Sequence, residues 1–139
     1  MTRHLFILNP AAGTKDRTKK LKIIIEKLGI IDAYDIFVTD SKGSGESEVE
    51  RYLNEYKDDF VRIYSCGGDG TLAEVANGVY RSGNENCAIA VVPVGSGNDF
   101  VKSLDIKAEK FRSLRGLIDG EIIDVDLLLA TDEEKNQRV

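Results

Sequence analysis

The sequence is poor in the side chains that several classes of protein require. It has two cysteines, Cys66 and Cys87, and one histidine in 139 residues. Two cysteines are too few for a disulfide framework, and these two lack the spacing of metal ligands. With a single histidine, neither a zinc site nor a serine-histidine triad is expected. The chemistry of the chain is therefore expected to rest on other groups.

Long apolar runs are also missing. No run approaches the roughly 20 apolar residues that a membrane-spanning helix needs, and near the N-terminus only residues 5–8 are continuously apolar. A secretory signal requires a longer apolar stretch there, so export is not expected. With 42% hydrophobic and 31% charged residues, the composition is typical of a folded globular domain rather than a disordered chain. These features predict a cytoplasmic protein.

The net charge of −5 is unevenly distributed along the chain. Residues 1–28 carry seven basic and two acidic side chains, whereas residues 29–60 carry three basic and nine acidic ones. An acidic chain without a basic stripe is not expected to bind nucleic acid. One basic cluster is present, and it consists of Lys15, Arg17, Lys19, Lys20 and Lys22. It fits either a solvated helix face or a contact with phosphates or an anionic membrane surface.

Short apolar runs alternate with segments of helical periodicity. Between the runs, apolar residues recur every three or four positions, as at Leu21, Ile24 and Ile25, which indicates amphipathic helices. The runs predict four strands, over residues 4–8, 33–38, 61–65 and 88–92. Four β-then-α units in succession predict an α/β fold: a parallel, doubly wound, three-layer sheet with right-handed crossovers and helices on both faces.

The last third of the chain is predicted less regularly. A short helix is expected after Asn98 and another around Phe111, with a final strand over residues 122–130. Asp124 and Asp126 alternate with apolar residues in that strand and are expected to face solvent or a domain seam. The polar tail, residues 130–139, fits either a frayed terminus or a β-turn whose partner strand is not part of this chain.

Two residues that often carry chemistry are predicted to have other roles here. Cys66 lies at the end of an apolar run, so we expect it to act as a small apolar residue rather than a nucleophile. His4 lies near the start of the first predicted strand, and we expect it on the surface of an edge strand.

Four loops follow the predicted strands, and three of them contain glycine. They cover residues 9–13, 39–41, 66–71 and 93–99. In an open α/β sheet, ligands bind outside the carboxyl ends of the strands. Glycine lets the backbone approach a ligand closely, and two of these loops lead directly into helices whose free N–H groups favour an anion. The loops therefore predict a nucleotide phosphate site. Neither G-x-G-x-x-G after the first strand nor G-x-x-x-x-G-K-[ST] occurs, which argues against an NAD-type Rossmann site and a P-loop.

Each of these loops also has a purely structural interpretation. Thr71 with Glu74, and Ser96 with Asp99, have the spacing of a capping box and would then simply start helices. Asp69 stands between two glycines. It would either stabilise a turn or lie near phosphates with a magnesium ion between them. The residues alone leave both interpretations open.

Three segments resemble the signatures of the diacylglycerol kinase catalytic domain, and more closely those of the soluble bacterial lipid kinases. They are Asn9-Pro10-Ala11-Ala12-Gly13, Gly67-Gly68-Asp69-Gly70-Thr71 with Glu74, and Pro93-Val94-Gly95-Ser96-Gly97-Asn98-Asp99-Phe100. NAD kinases and phosphofructokinases carry loops similar to the second segment, whereas the third separates the lipid kinases from them. The resemblance spans essentially the whole chain. It implies the N-terminal, ATP-binding domain of an NAD kinase/diacylglycerol kinase-like fold.

The resemblance implies ATP- and Mg²⁺-dependent transfer of the γ-phosphoryl group to a lipid hydroxyl, with diacylglycerol giving phosphatidic acid. Asp69 is the expected catalytic residue, and no metal ligands are assigned. Ser96 stands where family members often have threonine, and it keeps the hydroxyl. The residues expected to bind the nucleotide are Asn9, Pro10, Ala11, Ala12, Gly13, Thr39, Gly67, Gly68, Asp69, Gly70, Thr71, Glu74, Gly95, Ser96, Gly97, Asn98 and Asp99.

Family members continue into a C-terminal β-rich domain that helps to form the lipid cleft and supplies the proposed catalytic base. Residues 1–121 are therefore expected to be the nucleotide-binding kinase domain, and residues 122–139 the start of, or the link to, the second domain. This chain alone is expected to bind ATP but to be weakly active or inactive. Its lipid alcohol substrate would be met by peripheral association with the inner membrane face, and a homodimer is left open.

Two other functions remain open from the sequence. One is a kinase for another acceptor, such as a sphingoid base, a polyprenol or NAD. The sphingosine group usually departs from the Gly-Gly-Asp-Gly-Thr form, which lowers that option. The other is a non-catalytic nucleotide-binding module that regulates a partner.

Overall fold

The fold was obtained as a computed structural model, and the structure describes residues 1–104 and 113–139. Strands and helices alternate through the first hundred residues, as the apolar pattern predicts. The elements are β1 (Thr2–Leu8), α1 (Thr18–Lys27), β2 (Ala33–Val38), α2 (Ser44–Glu55), β3 (Phe60–Gly67), α3 (Asp69–Ser82), β4 (Cys87–Pro93), α4 (Asp99–Ser103), α5 (Leu114–Ile118), β5 (Ala130–Thr131) and β6 (Gln137–Arg138). The predicted helix around Phe111 is present as α5, while Phe111 itself lies outside the described residues.

The four long strands form one parallel sheet in the order β2-β1-β3-β4. In register, Leu8 lies beside Val38 on one side and beside Cys66 on the other. The carboxyl ends of β1, β2 and β3 therefore finish level with one another, and Gly67 in turn pairs with Pro93 of β4. This alignment brings the four loops that follow the strands to a single edge of the sheet.

Both faces of the sheet are covered, which confirms the three-layer prediction. Along β1, Leu5 and Ile7 belong to one core, and Phe6 and Leu8 belong to the other, because successive side chains of a strand point to opposite faces. The core beneath α2 and α3 consists of Leu5, Ile7, Val49, Tyr52, Leu53, Val61, Ile63 and Val75. The core beneath α1 and α5 consists of Phe6, Leu8, Leu21, Ile25, Tyr64, Cys66, Val92 and Leu114.

His4 is not the surface residue that the sequence predicts. Strand β1 is a central strand with β2 and β3 on its two sides, and only 2% of His4 is exposed. Its Nδ1 lies 2.8 Å from the hydroxyl oxygen of Tyr64, and the two rings stack. Desolvation lowers the pKa of His4, although nearby Asp32 acts in the opposite direction. The prediction was wrong because β1 acquires its neighbours only through pairing with strands distant in the chain.

The predicted strand over residues 122–130 is also wrong. Residues 121–129 have no regular secondary structure, and Leu128 is 91% exposed. Only Ala130–Thr131 forms a strand, and it pairs with Gln137–Arg138 in a short antiparallel hairpin. The polar tail is therefore a turn, but one whose partner strand lies within the chain. A strand forms only where its backbone pairs with a neighbouring strand. In the part of the chain that the structure describes, no strand lies beside residues 121–129.

Candidate functional site

A cleft of about 1410 Å³ opens at the carboxyl edge of the sheet. Strand β2 lies on one side of β1 and strand β3 lies on the other. The loops after the neighbouring strands β1 and β3 therefore diverge. The crevice between them is the topological switch point, where open α/β sheets bind ligands. The cleft lies over these loops and extends along the N-terminal part of α2 and the outer side of α3.

Asn9 connects the first loop to the start of α3. Its side-chain oxygen accepts a hydrogen bond from the Ala11 amide at 2.9 Å, and its Nδ2 donates to the Thr71 hydroxyl at 2.9 Å. Thr71 is 4% exposed and lies inside α3, which begins at Asp69 with Gly68 as its N-cap and no side-chain cap. The capping-box interpretation of Thr71 and Glu74 is therefore wrong: the hydroxyl bonds another loop.

Glycines allow the loops to pack backbone against backbone. A Cβ atom on Gly95 would lie 2.4 Å from the Cα of Gly68, and one on Gly13, where φ is +73°, would lie 2.5 Å from the carbonyl oxygen of Val94. Such distances are far inside van der Waals contact. The loops after β1, β3 and β4 can therefore meet at this edge only because these positions lack a side chain. Gly67 is equally constrained, since its Cβ would lie 2.1 Å from the Thr71 hydroxyl oxygen.

Asp69, the predicted catalytic residue, is exposed at the start of α3. Its carboxylate accepts hydrogen bonds from the amides of Asp99 at 3.0 Å and Phe100 at 3.4 Å. Asp69 thus caps the short helix α4 from outside it. Ser96 does not form the predicted capping box with Asp99, because the N-cap of α4 is Asn98. The Asn98 side chain accepts no hydrogen bond from the amides of α4. The side chain of Asn98 instead donates to the Gly95 carbonyl at 2.7 Å.

The opposite wall of the cleft is formed by the loop between β2 and α2. The Thr39 amide donates to the Leu8 carbonyl at 2.9 Å, which continues the β1–β2 ladder into the loop. From α3, Glu74 reaches across and accepts hydrogen bonds from the amides of Gly43 and Gly45. The side walls of the cleft are therefore both attached to α3, one through Asp69 and one through Glu74.

Most of the predicted nucleotide-binding residues lie around this one cleft. All of them line it except Gly67, Asn98 and Asp99, which lie beside it and support its loops. Cys66 is buried, and burial raises the pKa of its thiol to about 12, in keeping with the prediction of an apolar role. Residues outside the predicted nucleotide-binding set also line the cleft, two of them in the predicted loop 39–41, namely Asp40, Ser41, Lys42, Gly43, Glu46, Ser47, Glu50, Ala73, Arg81 and Arg138.

Arg138 is the most distant of these residues along the chain. The C-terminal hairpin packs on α2 and α3, where Arg138 donates to the Glu46 carboxylate at 2.9 Å. The Val139 amide and carbonyl both bond the side chain of the buried Asn77, at 3.0 and 2.9 Å. No sequence pattern signals this contact, because it joins residues 62 and 92 positions apart.

Within residues 1–104 and 113–139, no three His, Cys, Asp or Glu side chains are grouped so that they could hold a metal ion. In that part of the chain no helix has both the length and the apolar character to cross a membrane.

The fold and the cleft together define the class of this protein. This is a parallel α/β domain whose glycine loops meet at a topological switch point. The sequence profile of the diacylglycerol kinase catalytic domain matches residues 3–130. The chain belongs to the diacylglycerol kinase catalytic domain family, as the resemblance predicts.

Individual relatives agree with this assignment. The chain is 32% identical over 128 residues to a diacylglycerol kinase of Staphylococcus aureus (strain MRSA252), covering 90% of this chain and 39% of the relative. It is 30% identical over 128 residues to a diacylglycerol kinase of Staphylococcus carnosus (strain TM300), covering 90% and 40%. The structure of a diacylglycerol kinase from Bacillus anthracis str. Sterne aligns with a TM-score of 0.58 and 27% identity, over 81% of this chain and 40% of that one. The chain thus spans about two-fifths of the length of these relatives.

Proposed function

We propose that this chain is the ATP-binding half of a lipid kinase that transfers the γ-phosphoryl group of ATP to the hydroxyl of diacylglycerol or a related lipid. The observation that carries the proposal is the cleft at the switch point, where glycine loops and the N-terminus of α3 meet. The first intrahelical bond of α3 is donated by Leu72 to the Gly68 carbonyl. The N–H groups of residues 69–71 are therefore free of intrahelical partners and suit the oxygens of a phosphate.

The residues around the cleft fit a nucleotide and a magnesium ion. The close packing of Gly68 with Gly95 leaves backbone rather than side chains facing the cleft. Magnesium in phosphotransferases is usually held by one or two carboxylates together with phosphate oxygens and water. Asp69, which lies within the glycine loops, would supply such a carboxylate, and the ion, when bound, would neutralise charge on the phosphates. This arrangement needs no metal cage made by the protein alone.

In this proposal the chain's own residues bind and orient ATP, and phosphoryl transfer depends mainly on that positioning and on neutralisation of charge. Residues 9–13 and 67–71 would surround the phosphates, with the free amides of residues 69–71 donating to the phosphate oxygens. Thr39 and Ser96 would contact the nucleotide from the two sides of the cleft. Residues 122–139 would begin, or lead to, a β-rich domain that completes the lipid site and supplies the catalytic base, with the lipid reached at the inner membrane face.

The test is transfer of label from γ-labelled ATP by this chain and by the full-length gene product. Each protein is offered diacylglycerol micelles, other lipid alcohols and NAD in parallel. We expect label in phosphatidic acid with the longer protein and little or none with the chain alone, which should nevertheless bind ATP. Label in NADP or in another lipid would reassign the acceptor. ATP binding without transfer to any acceptor would favour a regulatory nucleotide-binding module.

A further inference from the structure

Glu74 lies in α3 but hydrogen-bonds the start of a different helix, α2. It lies in the second turn of α3, but its Oε1 accepts from the Gly43 amide at 2.8 Å and its Oε2 accepts from the Gly45 amide at 3.1 Å. Gly43 is the N-cap of α2 and has no side chain with which to cap the helix. Glu74 therefore satisfies two of the amides that the start of a helix leaves without partners, from a position 31 residues further along the chain.

The geometry of this contact favours glutamate at position 74 and glycine at positions 43 and 45. The two amides bond different oxygens of the Glu74 carboxylate. Glutamine in this position would place its NH2 group, a donor, against one of the two amides. Gly43 has a φ of +86°, a conformation that favours glycine. At Gly45 a Cβ atom would lie 2.8 Å from Oε2 of Glu74, so a side chain there would displace the carboxylate.

The loop that Glu74 holds is a wall of the cleft. It carries Thr39 and Lys42, both of which line the cleft. It follows β2, which lies at the edge of the four-stranded sheet beside β1. On the sheet side the loop is held by the Thr39 amide, which bonds Leu8. On the side of α3 it is held by the carboxylate of Glu74. The free amides that suit phosphates lie elsewhere, at the start of α3 in residues 69–71, which leaves this loop for the nucleoside part of a nucleotide.

We propose that Glu74 is a positioning residue for nucleotide binding. Through the amides of Gly43 and Gly45 it fixes the β2–α2 loop at the distance from α3 that the nucleoside part of ATP requires. The phosphates are held independently by the glycine loops. This inference rests on the proposed function, because it assigns a role within the proposed ATP site.

The experiment compares Glu74→Gln with Glu85→Gln, which removes the same charge at an exposed position in the loop before β4. Calorimetry measures the affinity of each protein for ATP and for inorganic tripolyphosphate, both with Mg²⁺, and NMR measures the exchange of the Gly43 and Gly45 amides. Loss of a charge-assisted hydrogen bond should weaken ATP binding by about tenfold. Tripolyphosphate binding should change by less than about twofold, because the phosphates contact other loops. The two amides should exchange faster in Glu74→Gln only.

A second variant tests the same contact from the loop. Gly45→Ala keeps Glu74 but displaces its carboxylate, and alanine favours the helical conformation of this position. It should reproduce the selective loss of ATP affinity. Unchanged ATP affinity despite faster amide exchange would overturn the proposal, and so would equal weakening of ATP and tripolyphosphate. If the unmodified chain and Glu85→Gln bind neither ligand, the proposed function fails, and this inference fails with it.

Discussion

Individual side chains at this site bond loops other than their own. Asp69 accepts from the amides that begin α4, and the hydroxyl of Thr71 accepts from Asn9. Both residues fit local roles in the sequence, a turn for Asp69 and a helix cap for Thr71. Their actual partners come from the sheet topology, which brings residues 30 and 62 positions apart into contact.

Asp69→Asn separates the charge of this residue from its hydrogen bonds. Asparagine is nearly isosteric and keeps one acceptor oxygen for the Asp99 amide, so stability should change by less than about 1 kcal/mol. In the full-length protein, turnover should fall by roughly 100-fold or more, since electrostatic stabilisation of phosphoryl transfer is lost, while ATP binding weakens modestly. Steady-state kinetics and calorimetry measure the two quantities. Unchanged turnover would exclude a catalytic role for Asp69.

His4 predicts a pH dependence of stability. Burial lowers its pKa in the folded state, whereas the unfolded chain has the ordinary value near 6.5. The unfolded state therefore takes up the proton first as the pH falls. Neutral His4 makes its full contribution to the free energy of unfolding above about pH 6.5. As the pH falls from there to the folded-state pKa, this contribution is lost. Urea unfolding at pH 7.5 and 5.0 should show a larger loss for the natural chain than for His4→Asn. Equal losses would contradict the prediction.

Helix α3 organises the molecule at the level of secondary structure. Its N-terminus faces the cleft, its body packs on α2 and β3, and its two acidic residues hold the loops on either side. Its glycines differ sharply in their surroundings. A Cβ on Gly78 would lie 2.6 Å from the Glu46 carbonyl oxygen of α2, whereas a Cβ on Gly70 meets nothing within 4 Å.

Alanine substitutions at these two glycines should change the stability of the chain in opposite directions. Gly78→Ala forces α2 and α3 apart and should destabilise the chain by about 1–3 kcal/mol, the usual cost of overpacking. Gly70→Ala should stabilise it by up to about 1 kcal/mol, because alanine favours the helix. The methyl group of Gly70→Ala would project into the proposed phosphate site, so ATP binding should weaken. Chemical unfolding and calorimetry provide the measurements, and tighter ATP binding by Gly70→Ala would contradict the assignment of the site.

At the scale of the whole molecule, the charges are separated along the surface. The basic cluster of the first 28 residues contrasts with the acidic residues 29–60. All five basic residues of the cluster are exposed in the structure. This exposure fits a solvated helix face, and it also fits a contact with phosphates or an anionic membrane surface. Measuring how the chain binds to lipid surfaces distinguishes a membrane contact from a solvated face.

Vesicle co-sedimentation makes this distinction. If the cluster contacts a membrane, the chain should sediment with anionic vesicles more than with neutral ones, and the difference should shrink in high salt because charges are screened. Lys19→Gln with Lys20→Gln should reduce binding to anionic vesicles. The same charge change at Lys57 and Lys135, both exposed, should have less effect. Equal binding to both kinds of vesicle would identify the cluster as a solvated surface.

The sequence by itself determined the alternation of strands and helices and the loops that form the cleft. Apolar periodicity is a local property, and glycine at Gly13 and Gly95 marks the positions where backbone has to approach backbone. What the side chains bond was decided only by the tertiary structure. His4 is buried because β1 became a central strand, and residues 121–129 are irregular because no strand pairs with them in the described part of the chain. Arg138 reaches the cleft and Glu74 holds a distant loop because these contacts exist only after the strands have been ordered in the sheet.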